Sequence, residues 1–140
     1  YDEAIERPLP LTGLDGELTL VHAAPLHPED WPYVLTLRSA RANFGAFTTR
    51  RCFIGHTHVP VVINEDLSVG EYRKNQRVIV NVGSVGQPRD GIPASSFALY
   101  DVESEEMTII RVPYDIHRTA DAILKTGLPE YLAQRLFQGV

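Results

Sequence analysis

Cys52-Phe53-Ile54-Gly55-His56-Thr57-His58-Val59-Pro60 is the stretch on which the reading of this chain turns. An apolar run halts at a glycine, two histidines follow with one residue between them, and Pro60 prevents regular continuation. In extended backbone, residues i and i+2 project to the same side. His56 and His58 are therefore expected to aim two imidazoles at one point just beyond a strand end. In open α/β sheets, ligands bind at that place, outside the carboxyl ends of the strands.

Upstream, Glu17 to Ala23 reads E-L-T-L-V-H-A, a strand pattern with His22 near its end. Pro25, Pro28 and Pro32 make the next segment a rigid loop carrying His27, Glu29, Asp30 and Trp31. A helix is expected from about Tyr33 to Phe47, opened by Pro32. If the strands on either side of it are parallel neighbours, His22, His56 and His58 cluster at one sheet edge. Neutral imidazole is the commonest metal ligand, so three converging on one point suggest a transition-metal site. His22 by itself reads more readily as a hydrogen-bonded structural histidine. His27 is expected at a rim or on the surface, and His117 at the start of a helix in a local electrostatic role.

Downstream, short strands are expected over Val61–Ile63, Gly70–Arg73, Arg77–Val82, Ser95–Val102 and Met107–Val112, with Glu103–Glu106 as a hairpin turn. Gly83-Ser84-Val85-Gly86-Gln87-Pro88-Arg89-Asp90-Gly91 is a shaped loop. Its glycines could let backbone N–H groups approach an anion that Arg89 pairs with, making Gly83, Ser84 and Arg89 candidates for phosphate binding. An ordinary structural turn explains the same loop, since neither a Walker lysine nor a G-x-G-x-x-G pattern is present. From Asp115 the period changes to helical, with one helix stopping at Gly127 and a last one starting at Leu128-Pro129. Residues 1–16 read as a helix tail followed by a loop broken by Pro8, Pro10, Gly13 and Gly16. The layout is mixed α/β, with no linker that divides it.

Composition narrows the function classes. The chain has 140 residues, 44% hydrophobic and 22% charged, as for one globular domain. The net charge of -5 and the lack of Lys or Arg runs argue against strong nucleic-acid binding. No apolar stretch approaches the roughly 18 residues of a membrane span. Cys52 is the only cysteine, which excludes an intrachain disulfide and suits a reducing, cytoplasmic setting. Ser84 has no base beside it in sequence, so a Ser-His-Asp hydrolase has little support.

Leu20-Val21-His22-Ala23-Ala24-Pro25, then Gly55-His56-Thr57-His58-Val59-Pro60, then Asn81-Val82-Gly83-Ser84-Val85-Gly86-Gln87-Pro88-Arg89-Asp90-Gly91 resemble, in order and spacing, the calcineurin-like metallophosphoesterases. The small prokaryotic phosphodiesterase and diadenosine-tetraphosphatase-like branch is the most similar, and Val112-Pro113-Tyr114-Asp115-Ile116 with Gly127-Leu128-Pro129 resembles its tail. Ala23 stands where that family commonly has glycine. The resemblance implies a four-layer α/β/β/α sandwich with mixed sheets and hydrolysis of phosphomono- or phosphodiesters, nucleotides among them. It implies two divalent transition-metal ions (Mn, Fe, Zn, Ni or Co), with His22 and His56 on one and His58 on the other.

The family's D-x-H, G-D-x-x-D and G-N-H-[DE] motifs, with their bridging carboxylate and general acid, do not occur in these 140 residues. Three neutral imidazoles cannot offset the charge of two adjacent dications. The chain is therefore expected to be the C-terminal portion of a longer phosphoesterase domain, inactive alone, with its N-terminal half in the same polypeptide. An open sheet edge left by that half would be covered, disordered or paired with a second copy in a homo-oligomer. The rival readings are a non-catalytic regulatory or scaffold module with a vestigial metal site, and a mononuclear structural zinc site.

Overall fold

A computed structural model describes residues 18–140 of the chain, so the expected helix tail and loop over residues 1–16 lie outside it. Four strands form one sheet: β1 (Leu18–Leu20), β2 (Arg51–Ile54), β3 (Val61–Asn64) and β4 (Val78–Asn81). Their order is β1-β2-β4-β3, with β1, β2 and β4 parallel and β3 antiparallel to β4. All four residues of β4 are buried, and the flanking Arg51, Cys52 and Ile54 of β2 are buried too. Such doubly covered strands read as continuous apolar runs, as Val78-Ile79-Val80 does.

The two-residue period sorts the core into two faces. Cys52, Ile54, Ile63 and Ile79 pack with Ala24, Val34, Ala40, Phe44 and Phe47 on the side of helix α1 (Leu37–Phe44). Val62, Val78 and Val80, with Phe53 and Val82, pack on the opposite side against Met107 and Ile109. Those last two belong to a second, two-stranded sheet, the hairpin of β5 (Ser95–Asp101) and β6 (Glu106–Val112). Helices α2 (Ile116–Lys125) and α3 (Tyr131–Gln138) follow the hairpin. The mixed α/β class with a mixed sheet is thus as expected. The free edge of β1 carries no strand among the described residues. No helix of the described residues is long and apolar enough to cross a membrane.

Burial pushes the Cys52 thiol up to about 12, so it stays protonated as a small core residue. Arg51 is fully buried, and its guanidinium is shared among the Tyr72 hydroxyl and the carbonyls of Arg50, Lys74 and Gln76. Those carbonyls belong to backbone beside β2 and before β4, so one side chain closes that end of the sheet.

Two expectations are corrected. The first helix begins at Leu37, not Tyr33, because the Thr36 hydroxyl accepts from the Ser39 amide and the Ser39 hydroxyl accepts from the Thr36 amide. This reciprocal cap holds Thr36 extended and sets the start there, and Gly45 ends the helix before Phe47. Residues 70–73 form no strand. Only Val69 bridges to Ile63, and Asn64 takes up the neighbouring backbone instead, donating to the Ser68 and Glu71 carbonyls and accepting from the Arg73 amide. A buried asparagine thus replaces a ladder with a side-chain-filled turn.

Candidate metal centre

The site forms where β1, β2 and β4 end side by side. The parallel ladder runs on past β1 and β2: the Val21 amide donates to the Phe53 carbonyl at 3.1 Å and the Gly55 amide to the His22 carbonyl at 2.8 Å. This register sets His22 beside the segment that carries His56. Their rings meet edge to face, with His22 Nε2 3.2 Å from His56 Nδ1.

Beyond Gly55 the backbone is not extended. His56 and His58 both take left-handed conformations, at φ 65° and 62°. The same-side geometry expected of an extended H-x-H therefore does not hold. Left-handed backbone is uncommon outside glycine, though histidine is enriched there, and such strain persists where surrounding contacts over-determine it. Those contacts come from β4. Asn81, fully buried, donates to the Gly55 carbonyl at 2.7 Å and to the Thr57 hydroxyl at 2.9 Å, and its own oxygen accepts from the Gly83 amide at 3.0 Å. The Thr57 hydroxyl also accepts from the Val59 amide at 3.1 Å.

His58 takes its side-chain partner from a different segment. Its Nδ1 lies 2.8 Å from the Gln87 carbonyl, which can only accept. The proton is therefore on Nδ1, and Nε2 keeps its lone pair for a ligand. A backbone carbonyl behind a histidine is the usual orienting partner of a metal-binding imidazole. Burial lowers the proton affinity of His58 most, partly offset by the Gln87 carbonyl, with Arg89 and the other two histidines lowering it further. His56 is lowered by burial first, then by His22, with Arg89 adding to the effect. Both rings favour the neutral form that binds metal.

The donor set fits a metal. Two nitrogens bound to one tetrahedral ion at about 2.0–2.1 Å lie roughly 3.3 Å apart, close to the His22–His56 separation. His22 and His56 form one pair of donors, and His58 offers a separate one.

The loop after β4 is held by its own polar groups. The Gly83 amide is taken by Asn81, the Ser84 hydroxyl accepts from the Gln87 amide at 3.0 Å, and the Ser84 carbonyl accepts from the Ser96 amide at 2.8 Å. Arg89 donates one terminal nitrogen to the Gln87 side chain at 2.8 Å, while its buried Nε has no partner among the described residues. Asp90 pairs with Arg111 of β6.

Two features escaped sequence reasoning. Trp31 and Tyr33 stand against the imidazoles: Trp31 at 4.8 Å from the His22 ring and 5.6 Å from His56, and Tyr33 stacked on His56 at 4.2 Å and 19°. The W-P-Y sequence is their only signal, and assigning Tyr33 to a helix hid it. The second is His27, Glu29 and Asp30, which bring one ligand atom each to within 4.8 Å of one another on an exposed turn. His117 packs edge-on against Phe137 at 4.9 Å, between α2 and α3.

Comparison with known proteins identifies the chain's relatives. A metallophosphoesterase of Sphaerobacter thermophilus, known from its crystal structure, superposes with a TM-score of 0.84 at 41% identity, over 90% of this chain and 56% of that one. A hypothetical protein of Pyrococcus horikoshii OT3 shares the fold, with a TM-score of 0.63 at 21% identity over 88% of this chain and 46% of that one. An uncharacterized protein of Methanocaldococcus jannaschii is 38% identical over 125 residues, 84% of this chain and 50% of that protein. The chain thus spans about half the length of the relatives it matches. The calcineurin-like phosphoesterase superfamily domain matches residues 4–105, which include His22, His56, His58 and the loop after β4, and the chain belongs to that superfamily.

Proposed function

We propose that this chain is the C-terminal portion of a metal-dependent phosphoesterase, hydrolysing phosphomono- or phosphodiesters at a dinuclear centre to which it supplies His22, His56 and His58. The carrying observation is the pairing of His22 and His56 at 3.2 Å beside a His58 whose Nε2 is left free by the Gln87 carbonyl. His22 and His56 would hold one divalent transition-metal ion and His58 the other. The carboxylates that offset two dications, and the general acid, come from outside the described residues. The strand-free edge of β1 is where the rest of the sheet in the same polypeptide would join.

When bound, the ions polarise the phosphoryl group and lower the pKa of a water. The chain's own residues do the rest. The Gln87 carbonyl fixes the His58 tautomer and orientation. Arg89, near enough to disfavour protonation of both His56 and His58, supplies a positive charge for a phosphate oxygen and for charge that develops as the ester bond breaks. Gly83 and Ser84, whose amide and hydroxyl are engaged with Asn81 and Gln87, would serve the phosphate by shaping the loop that carries Arg89. The single cysteine, buried and protonated, suits the cytoplasm.

The test is metal content and hydrolysis by the full-length protein. Two ions per chain, with metal-dependent cleavage of p-nitrophenyl phosphate or bis(p-nitrophenyl) phosphate, support the proposal. One tightly held ion without hydrolysis points to a structural site, and none to a scaffold; either result removes the phosphoesterase reading.

A further inference from the structure

Trp31 and Tyr33 reach the imidazole pair from a loop that has no obligation to place aromatics there. Trp31 follows the short helical turn Pro28–Asp30 and adopts a left-handed backbone, at φ 52°. Its ring approaches both His22 and His56. Two residues on, Tyr33 lies nearly parallel to His56, yet is 48% exposed. One face of Tyr33 is covered by the imidazole, and about half of the residue remains exposed among the described residues. Tyr33 makes no hydrogen bond to protein among the described residues. The apolar core begins at the next residue, Val34, which is buried. An exposed ring held flat against a ligand histidine contributes little to folding, since large apolar surface left in water gains nothing from burial.

We propose that Trp31 and Tyr33 are the specificity-determining wall of the site, on which the organic part of the substrate stacks. The favoured esters then carry a flat π-system, either a nucleobase or a directly attached aryl ring, in preference to alkyl or polyol phosphates. The inference rests on the phosphoesterase reading of the same centre. Stacking of a base on an aromatic side chain is tolerant of base identity and corresponds to roughly a ten-fold or larger change in affinity per ring. On this reading the metal centre takes the phosphate and the aromatic pair beside it takes the organic group.

The experiment compares AMP, phenyl phosphate and glycerol phosphate as substrates of the metal-loaded full-length protein and of Tyr33→Leu. The ratio of kcat/KM for phenyl phosphate or AMP over that for glycerol phosphate should fall about ten-fold in the variant, through KM. A fall for AMP alone identifies the nucleoside as the stacked group, and a fall for phenyl phosphate alone identifies a directly attached ring. Equal losses on all three esters make Tyr33 a positioning residue for His56 and overturn the proposal while leaving phosphoester hydrolysis intact. No hydrolysis of any ester overturns both. Trp31, the only tryptophan of these 140 residues, gives a readout independent of turnover. The part of the full-length protein's fluorescence that Trp31→Phe removes should be quenched by AMP and not by glycerol phosphate at matched occupancy, and identical responses contradict the stacking wall.

Discussion

His58 donates its Nδ1 proton to the Gln87 carbonyl across 2.8 Å, so the loop after β4 holds a histidine that follows β2. That loop can reach His58 only because it lies close to the hairpin. Gly83 sits at φ 81°, and a Cβ built there would stand 2.7 Å from Ser96 Cβ and 3.2 Å from Pro60 Cδ. Gly83→Ala is therefore expected to lift the loop and free the His58 ring. The left-handed backbone alone costs about 1–2 kcal/mol, and loss of an orienting partner typically lowers metal affinity 10- to 100-fold. Thermal unfolding and metal titration together check this; unchanged metal affinity would show that the loop does not orient His58.

His56→Ala and His58→Ala should each lower metal stoichiometry and sharply reduce turnover in the intact protein. His117→Ala should alter neither, because its ring is spent on Phe137 between two helices. Metal analysis of the three purified variants decides the matter, and identical behaviour of all three would dismiss the site assignment.

Arg51 should matter to stability rather than to chemistry. Its guanidinium satisfies the carbonyls of Arg50, Lys74 and Gln76 and the Tyr72 hydroxyl while wholly buried. Arg51→Met takes its partner from the Gln76 carbonyl and removes the pairing with Glu105, while the Lys74 and Arg50 carbonyls keep Arg50 and the Val78 amide, at a cost of about 2 kcal/mol in urea unfolding. Arg51→Lys should recover little, since an ammonium cannot reproduce the planar fork. A loss under about 0.5 kcal/mol, the range of ordinary surface changes, would count against this role.

Asp66 gives a pH dependence of definite sign. The Ser68 hydroxyl and the Gln76 amide, with the Ser68 backbone N–H, hold its carboxyl at about 2, below the ordinary 3.8. The folded state thus binds fewer protons than the unfolded one between those values. The contribution is present above pH 3.8 and is lost as pH falls through 2. The stability difference between the wild-type chain and Asp66→Asn, followed by circular dichroism in acid titration, should shrink across that window and stay level above it. A difference that grows on acidification would reverse the assignment.

Much of the fold was readable because its signals are local. The run Val78-Ile79-Val80 marks a doubly buried strand whatever its neighbours, and Asp115 before Ile116 marks a helix start, its side chain accepting from the Arg118 amide. The first helix was overextended because Tyr33 and Val34 have side chains that suit a helix face. The Thr36–Ser39 cap sets the true start. The strand expected at residues 70–73 failed for a different reason. Asn64 looks like a turn residue in sequence, and only burial turns it into the partner of that backbone.

The sequence by itself determined which residues could bind metal and that they follow strand ends, since residue type and chain order carry both. The G-H-T-H stretch and its family likeness were legible for that reason. Tertiary structure alone decided how the histidines are divided. Parallel register sets His22 against His56, while Asn81 and the Gln87 carbonyl hold the left-handed turns of His56 and His58, with His58 anchored on the loop after β4. It also decided that Trp31 and Tyr33 border the site. The physical reason is that these placements depend on hydrogen bonds and ring contacts between segments 20 or more residues apart in several cases, such as Asn81 with Gly55 and His22 with His56, and no local pattern encodes them.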